Sequence, residues 1–578
     1  INFLPYLGVL SQELNSQIYR LCTLATYKSY IAASYVKYIE SAGARVVPIK
    51  IGQPDSYYEE IVNSVNGILL PGDNALLNET HGYGEAAHKI YKLIINKNKN
   101  NQQPIPLFGI CLGFQAIIYN ALKQQDIRTR CHISGISLPL IFQYDYTKSR
   151  LFKTAPYEII NILKSQSVTA NSHSYCITSK DAIKYKLNKK WLILSTNKIR
   201  NLLYISSIES KHYPIWGIQF HPEKTMFEWS KEHYDHTIHG ILVSQYLMNF
   251  FVNECPIKRK AQIAQHINEL HQHGHGEWPP FMGPHNSRPI IGILSQEISP
   301  PLVNCVPFYL SISKYKSYIS ASYVKYIEMA GARVVPIRIG QSTQYYQLMA
   351  SSLNGVVFPG GAAMLTANDG YADVAKIFYS YAINQNLPIW GTCLGFEIIL
   401  VLSAGTDLRT RCNVINSITR PLRLRKEYKA SRIFKLMPLN ILNIVQKQSV
   451  MTYMHSHCVT MKNFTHHNMT KDWFILTTST TPNNLTFIST IESKKYPIWG
   501  VQYHPEKALF DWTHTSIVHT FNAIKVSQYL MNFFVNECRK NHNRFPSMKK
   551  EQSALIYNYK SMYIGKFGCK IEQCYFLN

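Results

Sequence analysis

No apolar run in the 578-residue chain approaches the roughly 18–20 residues that a membrane-crossing helix needs. The candidate at Ile398–Leu402 is a short buried stretch, so the chain reads as a soluble protein. Acidic residues are scarce, with 34 Asp and Glu against 60 Lys and Arg, a balance of +26. The basic excess comes without zinc-finger spacing, a helix-turn-helix pattern or an RNA-binding sheet signature. Weak attraction to polyanions follows from it, and a specific nucleic-acid partner does not. No CxxC pair is present, and 12 cysteines in this length make no disulfide scaffold, although their even number permits bridges. With 46% hydrophobic positions, disordered and collagen-like chains are excluded as well. An initiating Met is also missing. A chain that begins at Ile1 fits either a processed secretory signal or a fragment boundary.

What is present is a duplication. Ser29–Gln53 and Ser317–Gln341 match at 22 of 25 positions, and VSQYLMNFFVNEC stands unchanged at Val243–Cys255 and Val526–Cys538. A repeat of about 285 residues is a whole domain, not a solenoid unit. Copy one spans 1–255 and copy two spans 289–578. Between them, 256–288 reads as a linker, since the alternating His271, His273 and His275 lie in a Gly/Pro-rich stretch. Copy two continues past Cys538 into a tail, ending CYFLN, that copy one lacks. Five cysteines of copy one (Cys22, Cys111, Cys131, Cys176 and Cys255) recur as Cys305, Cys393, Cys412, Cys458 and Cys538.

Within copy two, short apolar runs at Pro289–Leu294, Arg333–Ile339, Gly355–Phe358 and Pro388–Gly391 read as strands. Helical spacing covers Tyr318–Ala330, stopping at Gly331, and Asp373–Asn384. Strand and helix in alternation predict an α/β fold in each copy: three layers, a mostly parallel sheet with helices on both faces. Ligands in such folds sit at the carboxyl ends of the strands.

At one such end stands Gly391-Thr392-Cys393-Leu394-Gly395-Phe396, matched by Gly109-Ile110-Cys111-Leu112-Gly113-Phe114. Small residues around a nucleophile between strand and helix form an elbow that lifts the side chain out of the sheet. The helix N-terminus favours a thiolate and offers N–H groups to an oxyanion. About 110 residues on, in both copies, come YPIWGVQYHPEK with His504 and Glu506, and YPIWGIQFHPEK with His221 and Glu223. Histidine is the base a Cys nucleophile needs, and a carboxylate can orient its ring.

These motifs resemble the class I glutamine amidotransferase fold, and the rest of the chain narrows the resemblance to the gamma-glutamyl hydrolase family. SYVKYIEMAGARVVPI, NGVVFPGG, YADVAKIFYSYAI, PIWGTCLGFE and the CYF-containing tail follow that family's pattern. The resemblance implies a secreted or lysosomal, cofactor-free, metal-free cysteine omega peptidase that removes glutamates from folylpolyglutamates. Family members are commonly glycosylated homodimers, and four Asn-X-Ser/Thr acceptors occur here, at Asn78, Asn463, Asn468 and Asn484. The family's nucleophile falls on Cys393 and Cys111, and its catalytic His on His504 and His221, with Glu506 and Glu223 as third members. Substrate-binding positions fall on His455, Gln502, Gly361, Leu394 and Glu397 in copy two. In copy one they fall on His173, Gln219 and Leu112, with Gln115 standing where Glu397 does. Two joined copies are expected to pack as the subunits of a homodimer would. Copy two is expected to be the better catalyst, because copy one carries Asp73 where copy two has Gly361. The competing readings are a glutaminase half of an amidotransferase, which lacks its synthase partner here, and a secreted binding or effector protein that keeps the fold with weakened sites.

Overall fold

The computed structural model describes residues 5–14, 18, 27–100, 104–229, 233–255, 286–307, 312–365 and 369–578. The chain divides into two compact units that part at His275/Gly276. Residues 256–285 of the expected linker, with its three histidines, lie outside the described residues. Asn286 belongs with copy two, where its N–H donates to the Arg539 carbonyl.

Copy two is built on an eight-stranded sheet. In spatial order its strands are Arg333–Ile337, Ile290–Leu294, Gly355–Phe358, Ile389–Thr392, Ile498–Val501, Thr486–Ser493, Trp473–Thr480 and Arg423–Leu424. The first five run parallel and the last three join antiparallel. Copy one repeats the order with Arg45–Ile49, Tyr6–Leu10, Gly67–Leu70, Leu107–Ile110, Ile215–Ile218, Leu202–Ser210, Trp191–Ile199 and Ile141–Phe142. The central strands IIGIL, GVVF, IWGT and IWGV are buried at every position. Helices cover both faces, so these strands carry unbroken apolar runs in place of alternation. The helices Tyr371–Gln385 and Leu394–Ala404 supply much of that cover, placing Phe378, Ala382, Phe396 and Ile399 in the core.

One expected element is shorter than its sequence pattern. Tyr318–Ala330 reads as one helix, but Ser317–Ser320 is a strand and the helix runs Ala321–Met329. The reason is tertiary: Ser317–Ser320 pairs antiparallel with Gln573–Leu577, a partner some 250 residues away that local periodicity does not register. The helix does end at Gly331, whose φ of 77° suits the left-handed turn there.

Three disulfides form among the described cysteines: Cys131–Cys176, Cys412–Cys458 and Cys305–Cys569. The first two staple equivalent antiparallel pairs in the two copies. The third ties the tail to the body of copy two. No helix among the described residues is long and apolar enough to cross a membrane. Of the four glycosylation triplets, Asn78, Asn468 and Asn484 are exposed. Asn463 instead donates its amide inward, to the Leu408 carbonyl and Thr410 Oγ1.

Candidate active site

The strand Ile389–Thr392 ends at Cys393, and the helix Leu394–Ala404 begins on the next residue. Cys393 holds φ 52° and ψ −105°, a conformation that side-chain-bearing residues avoid. Cys111 has the same two angles. The turn is held by Cys393 N–H donating to the Val501 carbonyl at 2.8 Å on the neighbouring strand. It also requires the flanking glycines: a Cβ on Gly391 would come 2.5 Å from the Gly395 carbonyl oxygen, and one on Gly395 would overlap that of Phe358. The elbow expected from Gly-x-Cys-x-Gly is therefore present twice, with the thiol nearly buried in each copy.

The partner histidine arrives from the adjacent strand. Ile498–Val501 runs out into Gln502 and His504, and the His504 N–H donates to the Thr452 carbonyl at 2.8 Å. His504 Nδ1 lies 2.8 Å from Glu506 Oε1, and in copy one His221 Nδ1 lies 2.6 Å from Glu223 Oε1. A carboxylate accepts only, so Nδ1 carries a proton and Nε2 is the nitrogen left for the thiol. Burial by itself would depress the His221 pKa, but Glu223 and Cys111 oppose it and raise the group to about 10. Cysteine and histidine converge on one glycine. A Cβ on Gly360 would stand 2.7 Å from His504 Cε1 and 3.0 Å from Cys393 Cβ, and Gly72 is as crowded by Cys111 and His221.

Tyr323 completes this corner, and its sequence signal was missed. Its hydroxyl accepts from Gly360 N–H at 2.8 Å and stands 3.4 Å from His504 Nδ1. Tyr35 does the same for Gly72 and His221, at 2.9 and 3.4 Å. Both tyrosines sit in the repeated ASYVKYIE segment, where an apolar helical stripe accounted for them equally well.

Around the Cys393 thiol a cavity of about 610 Å³ is lined by Gly361, Leu394, Glu397, Arg409, His455 and His457, among others. Glu397 is buried, with Oε2 3.1 Å from Arg409 Nη1 and Oε1 accepting from Gln502 Nε2 at 3.1 Å. Burial raises its pKa to about 7 against the opposing pull of Gln502 and Arg409. Gln502 Nε2 also stands 3.9 Å from Cys393 Sγ. His455 is neutral, taken by burial to a pKa of about 3, with Nδ1 fixed 2.8 Å from the His457 carbonyl oxygen and no partner for Nε2 among the described residues. The pair of strands that carries His455 is stapled by Cys412–Cys458. Arg409 and its copy-one equivalent Arg128 went unread, although DLRTRC and DIRTRC recur in the sequence. Gly361 lines the cavity, and a Cβ there would displace the Gln296 amide that packs against it.

In copy one, Gln219 Nε2 points to Cys111 Sγ at 3.5 Å, and Gln219 Oε1 accepts from Gln115 at 3.1 Å. Leu112 opens the helix after Cys111 as Leu394 does after Cys393. His173 differs from His455: its Nε2 is taken up by Asn171 Oδ1 at 3.3 Å, which also accepts from Tyr204. Among the described residues one gathering has metal-ligand chemistry, Cys131, His173 and Cys176, and its two sulfurs are bonded to each other.

Comparison with known proteins shows which family the chain is similar to. The Peptidase C26 family model matches residues 5–223 and again 289–506. Human gamma-glutamyl hydrolase is 40% identical over 294 residues, covering 50% of this chain and 89% of its own. Gamma-glutamyl hydrolase B of Dictyostelium discoideum is 35% identical over 301 residues, covering 51% and 84%. Among solved structures, the glutaminase domain of Trypanosoma brucei CTPS with bound acivicin aligns with 43% of this chain and 93% of its own, at 13% identity and a TM-score of 0.29.

Proposed function

The chain belongs to the Peptidase C26 family of cysteine-type hydrolases, once per copy, and from that membership we propose that it cleaves gamma-glutamyl amide bonds through a thioester on Cys393 and, more slowly, on Cys111. The observation that carries the reading is the convergence of an elbow cysteine and a carboxylate-oriented histidine on one glycine.

A gamma-glutamyl amide is an unactivated acyl group and needs a nucleophile, a proton donor and oxyanion support. Burial, with Glu397 and Glu506 adding to it, pushes the Cys393 pKa well above the usual thiol range. The thiol therefore gives its proton to His504 Nε2 as sulfur attacks the gamma-carbonyl carbon. Leu394 N–H, at the helix start, and Gly361 N–H stabilise the oxyanion. The N–H of Gly360 is already engaged by Tyr323. Collapse breaks the C–N bond, and the imidazolium returns its proton to the departing amine. Water, deprotonated by His504, then cleaves the thioester and regenerates the thiol. Glu506 keeps the ring in the required tautomer throughout. His455 Nε2, Gln502 and the Glu397–Arg409 pair hold the acyl portion in the larger cavity.

The substrate class we assign is folylpoly-gamma-glutamate, and the setting secreted or lysosomal, with sugar on the exposed acceptors. A binding or effector role is favoured by one observation only, the altered lining of copy one, and so is confined to that copy. The test is incubation with a pteroyl-polyglutamate followed by rapid quench and mass spectrometry. The reading expects glutamate release and an acyl adduct on Cys393. Release without any adduct on either cysteine would reject the thioester route.

A further inference from the structure

Two cavities meet at Cys393. The larger, already described, holds Glu397, Arg409 and His455. The second, of about 380 Å³, is lined by His504, Glu506 and Lys507 and, from the far end of the chain, by Gly568, Lys570 and Ile571. Both cavities share Cys393, Gly361 and Met454, so the nucleophile stands at their junction. Only the second touches His504. The group that protonates a departing amine must lie within hydrogen-bond reach of it. The amine side of the scissile bond therefore points into the second cavity and the acyl side into the first.

The outer wall of this second cavity is the tail. Gln573–Leu577 adds antiparallel to Ser317–Ser320, and Cys569 is bonded to Cys305. Between these two anchors the Lys570 carbonyl accepts from Thr513 Oγ1 at 3.1 Å. The turn is thus fixed over the nucleophile from three sides. Its charges are unequal: Lys507 is buried and paired with Asp511 at 2.5 Å, and Glu506 is paired with His504. Lys570 is exposed and forms no ion pair among the described residues. In copy one the sequence between Cys255 and Pro289 contains no cysteine and no segment matching this tail.

We infer that the tail of copy two builds the leaving-group subsite of the Cys393 centre, and that Lys570 selects amines carrying a carboxylate, as the released end of a polyglutamate does. The inference rests on the hydrolase reading and adds what that reading leaves open, the direction of the substrate and the residue that reads its departing end.

The test uses the full chain with Cys111→Ala, so that turnover reports copy two. Two compounds are compared: gamma-glutamyl-glutamate, and the same amide with both leaving-group carboxyls converted to carboxamides. The diacid should be preferred in kcat/KM. Lys570→Glu should lower kcat/KM for the diacid by about three- to tenfold, the scale of losing one exposed charge pair and gaining a like charge in its place, while leaving the diamide nearly unchanged. Lys570→Ala should fall between, and Lys570→Arg should keep most of the preference. Inhibition by free glutamate should weaken in the same order. Equal loss on both compounds, or none on either, overturns the inference while leaving hydrolysis intact. A parent protein that cleaves neither compound overturns the hydrolase reading and takes this inference with it.

Discussion

The two copies agree where backbone geometry is decided and differ where charge is. Cys111 and Cys393 share the same φ and ψ, both histidines pair with a carboxylate two residues on, and both glycines are roofed by a tyrosine. Around this shared frame the linings part. Glu397, paired with Arg409, is Gln115 in copy one, where Arg128 is left 3.4 Å from an amide oxygen in place of a carboxylate. Gly361 is Asp73. Tyr453 is Asn171, which engages His173 where His455 keeps Nε2 free. An elbow tolerates no change without losing the turn, whereas a lining group can be exchanged at the cost of rate or specificity alone. The comparison teaches that copy one keeps the strained cysteine, the carboxylate-paired histidine and the tyrosine above the glycine, while the groups around them have changed.

The sharpest break in the comparison is removal of the nucleophiles. Cys111→Ala with Cys393→Ala should abolish turnover, since neither site holds a substitute nucleophile. Singly, Cys393→Ala should remove most activity and Cys111→Ala little, read as released glutamate per chain. The reverse outcome would rank the copies the other way. Next in size is Asp73. It is half-buried, its carboxylate accepts from Asn74 N–H at 2.8 Å, and burial raises its pKa. An ionised carboxylate about 5 Å from an oxyanion opposes it by roughly 3 kcal/mol at an effective dielectric of about 20, on the order of a hundredfold in rate as an upper bound. Asp73→Gly, measured with Cys393→Ala, should therefore speed copy one most at pH values where Asp73 is charged. The parent's rate should approach the variant's as acid neutralises the group.

Much of this was legible in the sequence, for identifiable reasons. The elbow and HPE motifs are local, and their spacing repeats, so Cys393, His504 and Glu506 could be placed before any fold was known. Leu394 came with them as the neighbour of Cys393, and Gly361 through the Gly-Gly segment that the family resemblance places at a facing strand end. Tyr323 and Arg409 were not legible, because neither contact follows from a local motif: Tyr323 meets Gly360 from a distant helix, and Arg409 meets Glu397 twelve residues back, on the helix after Cys393. Tyr323 reaches Gly360 from 37 residues away, inside a helix whose apolar spacing already explained it. The strand Ser317–Ser320 was hidden in the same way, its partner lying in the tail. The repeat also concealed a difference, since alignment of HSHC with HSYC says nothing about which ring nitrogen is free.

A smaller effect sharpens the contrast at position 397. Glu397 sits second to burial among the causes that raise the Cys393 pKa, and it titrates at about 7. With Cys111→Ala in place, Glu397→Gln should make Cys393 react faster with iodoacetamide at pH 8. The gain should be about tenfold at most, the effect of one unit of thiol pKa. It should disappear at pH 6, where Glu397 is itself protonated. Stability should follow the same group. Its proton leaves near 4.5 in the unfolded chain and at about 7 in the folded one, so the native state holds the extra proton in between. Stability from this residue therefore falls as pH rises from about 4.5 to about 7 and then levels off, and Glu397→Gln should flatten that slope in chemical unfolding. A slope unchanged by the substitution would remove Glu397 from the account.

The smallest effect tests what the copies have in common. Tyr323→Phe leaves the ring in place but strips the acceptor from Gly360 N–H, and Tyr35→Phe does the same at Gly72. An unsatisfied buried N–H costs about 1–3 kcal/mol, so each variant should unfold at lower denaturant by that amount in its own unit. The effect on catalysis should be only a fewfold, because neither hydroxyl transfers a proton in the reaction. Both are far too weakly acidic for that, Tyr323 and Tyr35 being raised by burial well above the ordinary phenol range. The two variants should therefore behave alike in stability, although the copies differ in rate. Unequal stability losses at Tyr35 and Tyr323 would mean that the shared frame, and not the lining alone, has diverged between the copies.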